Sequence, residues 1–269
     1  MHKAAAIQMC SGTDVTVNLR EAGKLMAKAA VRGAELIVLP ENFALMASND
    51  AERVAAGEVD GSGQIQDFLA DKAQTLRVWI VGGSVPVVAG NSKVFARCPI
   101  YNSFGRRIAY YDKIHMFDVQ VGGGESYHES ASTQAGGKPV VVSTPLGKLG
   151  LAVCYDLRFP ELFRALLAQG ATLFAVPSAF TYTTGQRHWA LLTRARAVEN
   201  LSFLIAAAQG GRHANGRDTW GHTVIVDPWG EVLSERRGPD PGIVIATLDE
   251  SQQTRLRTRF PALSHRRLS

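Results

Sequence analysis

Gly33-Ala34-Glu35-Leu36-Ile37-Val38-Leu39-Pro40 and Gly170-Ala171-Thr172-Leu173-Phe174-Ala175-Val176-Pro177 decide how this chain is read. Each opens on Gly-Ala, runs through apolar residues and stops at a proline at the same spacing. A short apolar run between turn residues reads as a strand buried on both faces, as in parallel sheets. Ahead of each lies another strand-like run and a helical stretch. Lys3–Met9 and Val17–Val31 precede the first, Lys148–Val153 and Pro160–Gln169 the second. Gly33 and Gly170 stand where a helix end favours a left-handed residue. The chain therefore reads as α/β, built from two related β–α–β halves. Facing each other, such halves form a layered sandwich whose strand ends converge on one site.

Other elements follow outward from these runs. Phe68–Thr75 and Trp189–Asn200 read as helices, and Val78–Val81, Phe203–Ala208, Gly221–Asp227, Glu231–Ser234 and Ile243–Thr247 as strands. Val94–Tyr101 and Arg107–Tyr111 read as a hairpin around Asn102-Ser103-Phe104-Gly105. From Asp112 to Lys138 the expectation is a long irregular loop rich in Gly, Ser, His and Glu, of a kind that is often functional.

Bulk composition excludes several classes. The chain has 269 residues, 46% hydrophobic and 20% charged, which suits a globular protein with a sizeable core. It reads as one domain over 1–269 with a C-terminal tail from about 249. No stretch reaches the ~20 apolar residues of a membrane span. The apolar run at the start is too short for a signal peptide. Cys10, Cys98 and Cys154 form neither a disulfide framework nor a C-x-x-C pair, so a reduced, cytoplasmic setting is expected. The net charge of +5 gathers at Arg255, Arg257, Arg259, Arg266 and Arg267. With no nucleic-acid motif beside them, these arginines read as a solvated tail or a subunit contact, not a nucleic-acid surface.

On the converging-halves model the strand ends carry the candidates for chemistry. Cys154 lies where Gly150-Leu151-Ala152-Val153 gives way to Pro160, a residue suited to a first helical turn. A thiol facing that junction is in a position that favours both a thiolate and an oxyanion, although a small buried cysteine also serves as plain packing. Glu41 follows Leu39-Pro40, where a carboxylate needs a partner, whether a cap, an ion pair or a reacting group. Lys113 sits in Tyr110-Tyr111-Asp112-Lys113-Ile114-His115-Met116-Phe117-Asp118, where a fixed or a snorkelling lysine fits equally. No histidine pair has zinc spacing, and Gly122-Gly123-Gly124 lacks the strand-to-helix setting of a phosphate loop.

With Glu41, Lys113 and Cys154 aligned, the chain resembles the nitrilase superfamily of carbon–nitrogen hydrolases. Leu39-Pro40-Glu41, the segment from Asp112 to Asp118 and Cys154-Tyr155-Asp156-Leu157-Arg158-Phe159-Pro160-Glu161 carry the match. Pro177-Ser178-Ala179-Phe180, Arg194-Ala195-Arg196-Ala197 and Asp227-Pro228-Trp229-Gly230 extend it over the chain. The resemblance implies a four-layer αββα sandwich, a habit of dimerising, and a Glu41–Lys113–Cys154 triad supported by Glu129. It further implies an oxyanion contact from the Tyr155 N–H, a cysteine thioester intermediate, and neither metal nor organic cofactor. The family's usual Pro-Gly is replaced by Gly122-Gly123-Gly124.

Gly210-Gly211-Arg212-His213, Thr219-Trp220-Gly221-His222 and the Phe260-Pro261 to Arg267 end look most like the branch that hydrolyses deaminated glutathione to 2-oxoglutarate and cysteinylglycine. The ω-amidases, acting on 2-oxoglutaramate, are the nearest alternative, then N-carbamoyl amidohydrolases and, remotely, a non-catalytic binding protein. Arg158, Thr181 and Arg212 are the candidates to hold a substrate carboxylate, and Phe180 to wall the acyl site. The expected partner is a small amide, with no nucleic acid or membrane, and the expected assembly a homodimer or larger homo-oligomer.

Overall fold

Both echoing stretches are buried strands in the computed structural model of the chain, which describes residues 2–122 and 125–267. In the first half, β1 (His2–Gln8), β2 (Leu36–Val38) and β3 (Trp79–Val81) pair in parallel, with Ala4 beside Leu36 and Leu36 beside Trp79. β4 (Val85–Gly90), β5 (Lys93–Tyr101) and β6 (Arg107–Asp112) extend this sheet antiparallel. A hairpin of β7 (Asp118–Gly122) and β8 (Glu125–His128) follows.

The second sheet repeats the plan. β9 (Val141–Thr144) borders β10 (Gly147–Leu151), which runs parallel to β11 (Leu173–Ala175) and β12 (Phe203–Ala206). Here Leu149, Leu173 and Phe203 are the in-register set, so Leu36 and Leu173 hold equivalent places. The hairpin β13 (Gly210–Arg212) and β14 (Asp218–Trp220) comes next, then β15 (Val224–Val226) and β16 (Val232–Glu235) complete the sheet. β17 (Gly242–Leu248) returns to the first sheet, antiparallel to β1.

Side-chain alternation builds the layers. Ala4, Ala6, Leu36 and Val38 face the second sheet, packing with Leu149, Leu151 and Ile225. Their neighbours Ala5, Ile7 and Ile37 face outward. There they pack under α1 (Val15–Val31) and α3 (Gln64–Leu76), with Met26 and Leu69 fully buried. A strand used on both faces has to be apolar at every position, as β2 and β11 are. α4 (Pro160–Ala168) and α5 (Tyr182–Asn200) cover the second sheet through Phe163, Leu166, Trp189 and Ala197. The result is the expected four-layer αββα sandwich, with α2 (Asp50–Ala55) set at one end of the first sheet.

Three departures have physical causes. The stretch expected to be irregular holds β7 and β8 and a single turn, Glu129–Ala131, joined by ladder bonds between short strands with little apolar alternation. Gly123 and Gly124, in the glycine run that departs from the family pattern, lie outside the described residues. α5 starts at Tyr182 rather than Trp189, because Thr181 caps it by accepting from the Thr184 N–H, and the helix runs through Gly185, which lies against Trp220 where any Cβ would collide. Part of the stretch expected to be a solvated tail is α6 (Glu250–Arg259). Gln253 Nε2 donates to the carbonyls of Thr172 and Leu201 at 2.7 and 2.9 Å, and Arg257 donates to Leu201 and Ser202. The bonds to the Leu201 carbonyl, with one from Arg257 to Asn200, serve the end of α5, where carbonyls have no partner within the helix.

Candidate active site

Cys154 follows β10 with φ of +50°, a left-handed conformation that costs a non-glycine residue of order 1–3 kcal/mol. Surrounding bonds hold it there. Its N–H donates to the Pro177 carbonyl at 2.8 Å, and the Ala179 N–H points at Sγ from 3.5 Å. Asp156, fully buried, takes hydrogen bonds from the Val153 N–H at 2.8 Å, Tyr111 Oη at 2.6 Å, and the His115 N–H and Nδ1 at 3.1 and 2.7 Å. One carboxylate thereby ties the residue before the thiol to the loop that bears Lys113. The His115 ring also stacks on Phe159 at 3.7 Å.

Glu41 leaves the end of β2 directly after Pro40. Gly83, at φ of +61°, passes so close to the Pro40 carbonyl that no Cβ fits between them. Behind Glu41, Gln209 Nε2 donates to its backbone carbonyl at 3.0 Å. Lys113 emerges from β6, and its Nζ lies 2.8 Å from Glu41 Oε1 and 2.9 Å from each Glu129 oxygen. Glu129 is fixed in turn by the Phe117 N–H at 2.7 Å. Glu41, Lys113 and Cys154 are all buried.

Charge is distributed to suit proton transfer. Burial alone would lower the Lys113 pKa, but Glu129 and Glu41 hold it above its ordinary 10.5. Burial would raise Glu41, yet the Lys113 ammonium and a hydrogen bond from the Cys154 thiol keep it below 4.5. Burial and the Glu41 charge push the Cys154 thiol well above 9.0, outweighing Lys113 and the Ala179 N–H. The resting group is thus a carboxylate, an ammonium and a neutral thiol. Burial thus works against the thiolate that the strand-to-helix junction favours, because desolvation penalises the charged sulfur, and the proton is left for Glu41 to take.

These side chains stand in a cavity of about 460 Å³, also lined by Tyr155, Arg158, Phe180 and Thr181. Phe180 is braced edge-on by Trp189 at 5.0 Å, and Thr181 caps α5. Arg158 Nη1 donates to His188 Nδ1 at 3.2 Å, and burial together with Arg158 holds that histidine below 6.5. Arg212 is a correction. It is an exposed residue paired with Asp218 at 2.8 Å across the β13–β14 ladder and does not line the cavity. Arg217, further along the same hairpin, does line it and was not singled out from the sequence. The Asn215-Gly216 pair, a strong hairpin signal, would have marked that tip. Among the described residues no three His, Cys, Asp or Glu side chains gather to hold a metal ion.

Comparison with known proteins agrees with this geometry. The family model for carbon–nitrogen hydrolase matches residues 3–258. The chain is 43% identical to the deaminated glutathione amidase of Synechocystis sp., over 98% of this chain and 97% of that one. It is 36% identical to the chloroplastic omega-amidase of Arabidopsis thaliana, over 97% of this chain and 71% of that one. Saccharomyces cerevisiae Nit3, a member of branch 10 of the nitrilase superfamily, superposes with a TM-score of 0.89 at 29% identity, covering 99% of this chain and 97% of that structure. A buried cysteine beside a lysine shared by two glutamates, on a sandwich of this plan, agrees with what the sequence likeness shows: the chain belongs to the carbon–nitrogen hydrolase family and is a hydrolase of amide C–N bonds.

Proposed function

We propose that the chain is a thiol amidase acting on a 2-oxoglutaryl amide, deaminated glutathione first among them, with Glu41, Lys113 and Cys154 as catalytic residues. The observation that carries this reading is the Lys113 ammonium held between Glu41 and Glu129 beside a neutral buried thiol. Glu41 takes the thiol proton as Sγ bonds to the amide carbon. The carbonyl oxygen gains charge and is met by the Lys113 ammonium and the Tyr155 N–H, contacts worth about 3–4 kcal/mol per donor. Glu41 passes the proton to the amide nitrogen, the C–N bond breaks, and the amine leaves behind a thioester. Water then gives its proton to Glu41 as its oxygen attacks the thioester, releasing the acid and restoring the thiol. Glu129 keeps Lys113 aimed at the oxyanion.

On this reading Arg158 receives the acyl-side carboxylate, with Phe180 as the wall of the acyl pocket and Thr181 beside it. A second reading has a specific support: the chain is also 36% identical to the Arabidopsis thaliana omega-amidase over 97% of its own length. Both readings share the 2-oxoglutaryl acyl part and differ in the amine that leaves. Measuring kcat/KM on deaminated glutathione and on 2-oxoglutaramate separates them. Cleavage of nitriles or N-carbamoyl amino acids, with neither of these cleaved, would overturn both. Turnover retained by Cys154→Ala would sink the triad.

We further read 1–269 as one domain, working in the cytoplasm as a homodimer. The three free cysteines suit a reducing compartment, and Leu191, Val198, Trp229 and Phe260 leave apolar surface for a second copy. Sedimentation giving only a monomer at micromolar concentration would end the dimer reading.

A further inference from the structure

Arg217 is built into the cavity wall without a charge partner. Its Nη2 donates to the Ala179 carbonyl at 2.6 Å, and its guanidinium lies over the Tyr127 ring at 5.3 Å. Its N–H donates to Asn215 Oδ1 at 3.0 Å, and the Asn215 amide is anchored on the Ala47 carbonyl at 2.9 Å. Among the described residues its buried Nε has no hydrogen-bond partner, and no carboxylate lies within ion-pair distance of it. Nearby Asp218 is engaged by Arg212. A buried guanidinium N–H left without an acceptor is rare in native structures, and a cavity-lining arginine is suited to a two-toothed grip on a carboxylate.

Its position says which carboxylate. Through Asn215, which is tied to the Ala47 carbonyl, Arg217 is anchored to the segment that runs on from Glu41, and it lies over Tyr127. Arg158 lies toward Phe180, Tyr155 and His188. Arg53, also in the wall, is already paired with Asp50 at 2.9 Å, and Lys113 is held between two glutamates. Glu41 has to hand its proton to the leaving nitrogen, so the amine departs on the Glu41 side, where Arg217 stands.

We propose that Arg217 grips a carboxylate on the leaving amine and makes the chain selective for amides that carry a negative charge on both sides of the scissile bond. The inference rests on the thiol amidase reading and deepens it. Deaminated glutathione carries such a carboxylate on its cysteinylglycine part; 2-oxoglutaramate, which releases ammonia, carries none.

The test compares three substrates: deaminated glutathione, its analogue with the glycine carboxylate capped as an amide, and 2-oxoglutaramate. With the unaltered enzyme, capping should lower kcat/KM about 10- to 100-fold, the loss expected for one charge-assisted bidentate pair. This arm needs no variant and is independent of folding. Arg217→Ala should lose a similar factor on deaminated glutathione and become indifferent to the cap, and its preference for deaminated glutathione over 2-oxoglutaramate should fall by that factor. Arg217→Lys should recover part of the preference. If the enzyme cleaves deaminated glutathione but ignores the cap, or if Arg217→Ala lowers all three substrates equally, the inference is overturned while the amidase reading stands. If no 2-oxoglutaryl amide is cleaved, it is the reading itself that fails.

Discussion

Lys113 Nζ and Glu41 Oε1, both buried, sit 2.8 Å apart, and Glu129 presses on the same ammonium from 2.9 Å. Two carboxylates can share so small a space only because the cation lies between them. Glu41, held below 4.5, contributes stability above that pH which is lost as pH falls through its folded value. Lys113, held above 10.5, contributes below that pH. Lys113→Met removes the cation and leaves the glutamates facing each other. It should cost roughly 3–5 kcal/mol at pH 7 and lower kcat by at least about 100-fold. In the variant the glutamates repel, so their protonation becomes favourable and the stability deficit should shrink from pH 7 to pH 5. Urea unfolding at both values checks this, and an equal deficit at both would refute it.

The neutral Cys154 thiol makes a separate forecast about pH. Its reactivity with a small electrophile that enters the cavity, such as acrylamide, should depend on Glu41 as base rather than on free thiolate. Alkylation of Cys154 should therefore be nearly flat between about pH 6 and pH 8, falling as pH drops through the depressed Glu41 value. Glu41→Gln should slow it by roughly 100-fold or more at pH 7 and give a rate that climbs steadily with pH. Mass spectrometry separates Cys154 from the exposed Cys10. A steady climb in the unaltered enzyme would show a free thiolate at work.

What the chain revealed in advance depended on how local each feature is. Glu41 and Cys154 stood out as candidates because each follows an apolar strand, and the repeat of Leu36 at Leu173 implied two facing halves whose strand ends converge; the family likeness then supplied their roles. Lys113 needed the family likeness, since its partners Glu41 and Glu129 lie 72 and 16 residues away and no periodicity joins them. The arginines went astray for a geometric reason. Arg212 and Asp218 face each other across a ladder, while Arg217 follows the turn at its tip. Which of the two faces the cavity is settled by hairpin register, which composition does not carry. α6 escaped because only Gln253 and Leu256 of its ten residues are buried, too few for an apolar stripe.

Asp156 should prove a positioning residue. Its two oxygens accept four donors from three residues, and the backbone of Val153, next to Cys154, is one of them. Asp156→Asn turns one acceptor into a donor facing donors, which should cost about 2–4 kcal/mol. Melting should drop by several degrees. Below the new melting point kcat should fall more than KM rises, because Cys154 and Lys113 lose their common brace. A variant that loses stability yet keeps its full kcat would confine Asp156 to folding.

Gly83 and Gly61 form a matched pair for testing how tightly Glu41 is placed. Both have left-handed backbones, at φ of +61° and +87°. Around Gly61 no atom lies within 4 Å of where a Cβ would stand, so Gly61→Ala should cost only the backbone term, roughly 1–2 kcal/mol, and leave kcat alone. At Gly83 the same methyl would meet the Pro40 carbonyl and, at 3.0 Å, the Phe43 ring. Overpacking adds about 1–3 kcal/mol to the backbone cost. The clash is relieved by moving Pro40, and Glu41 moves with it, away from Lys113 and the thiol. Gly83→Ala should therefore lose kcat at least about tenfold at a temperature where both variants are folded. Equal kcat in the two variants would mean that Glu41 tolerates displacement of the strand end that carries it.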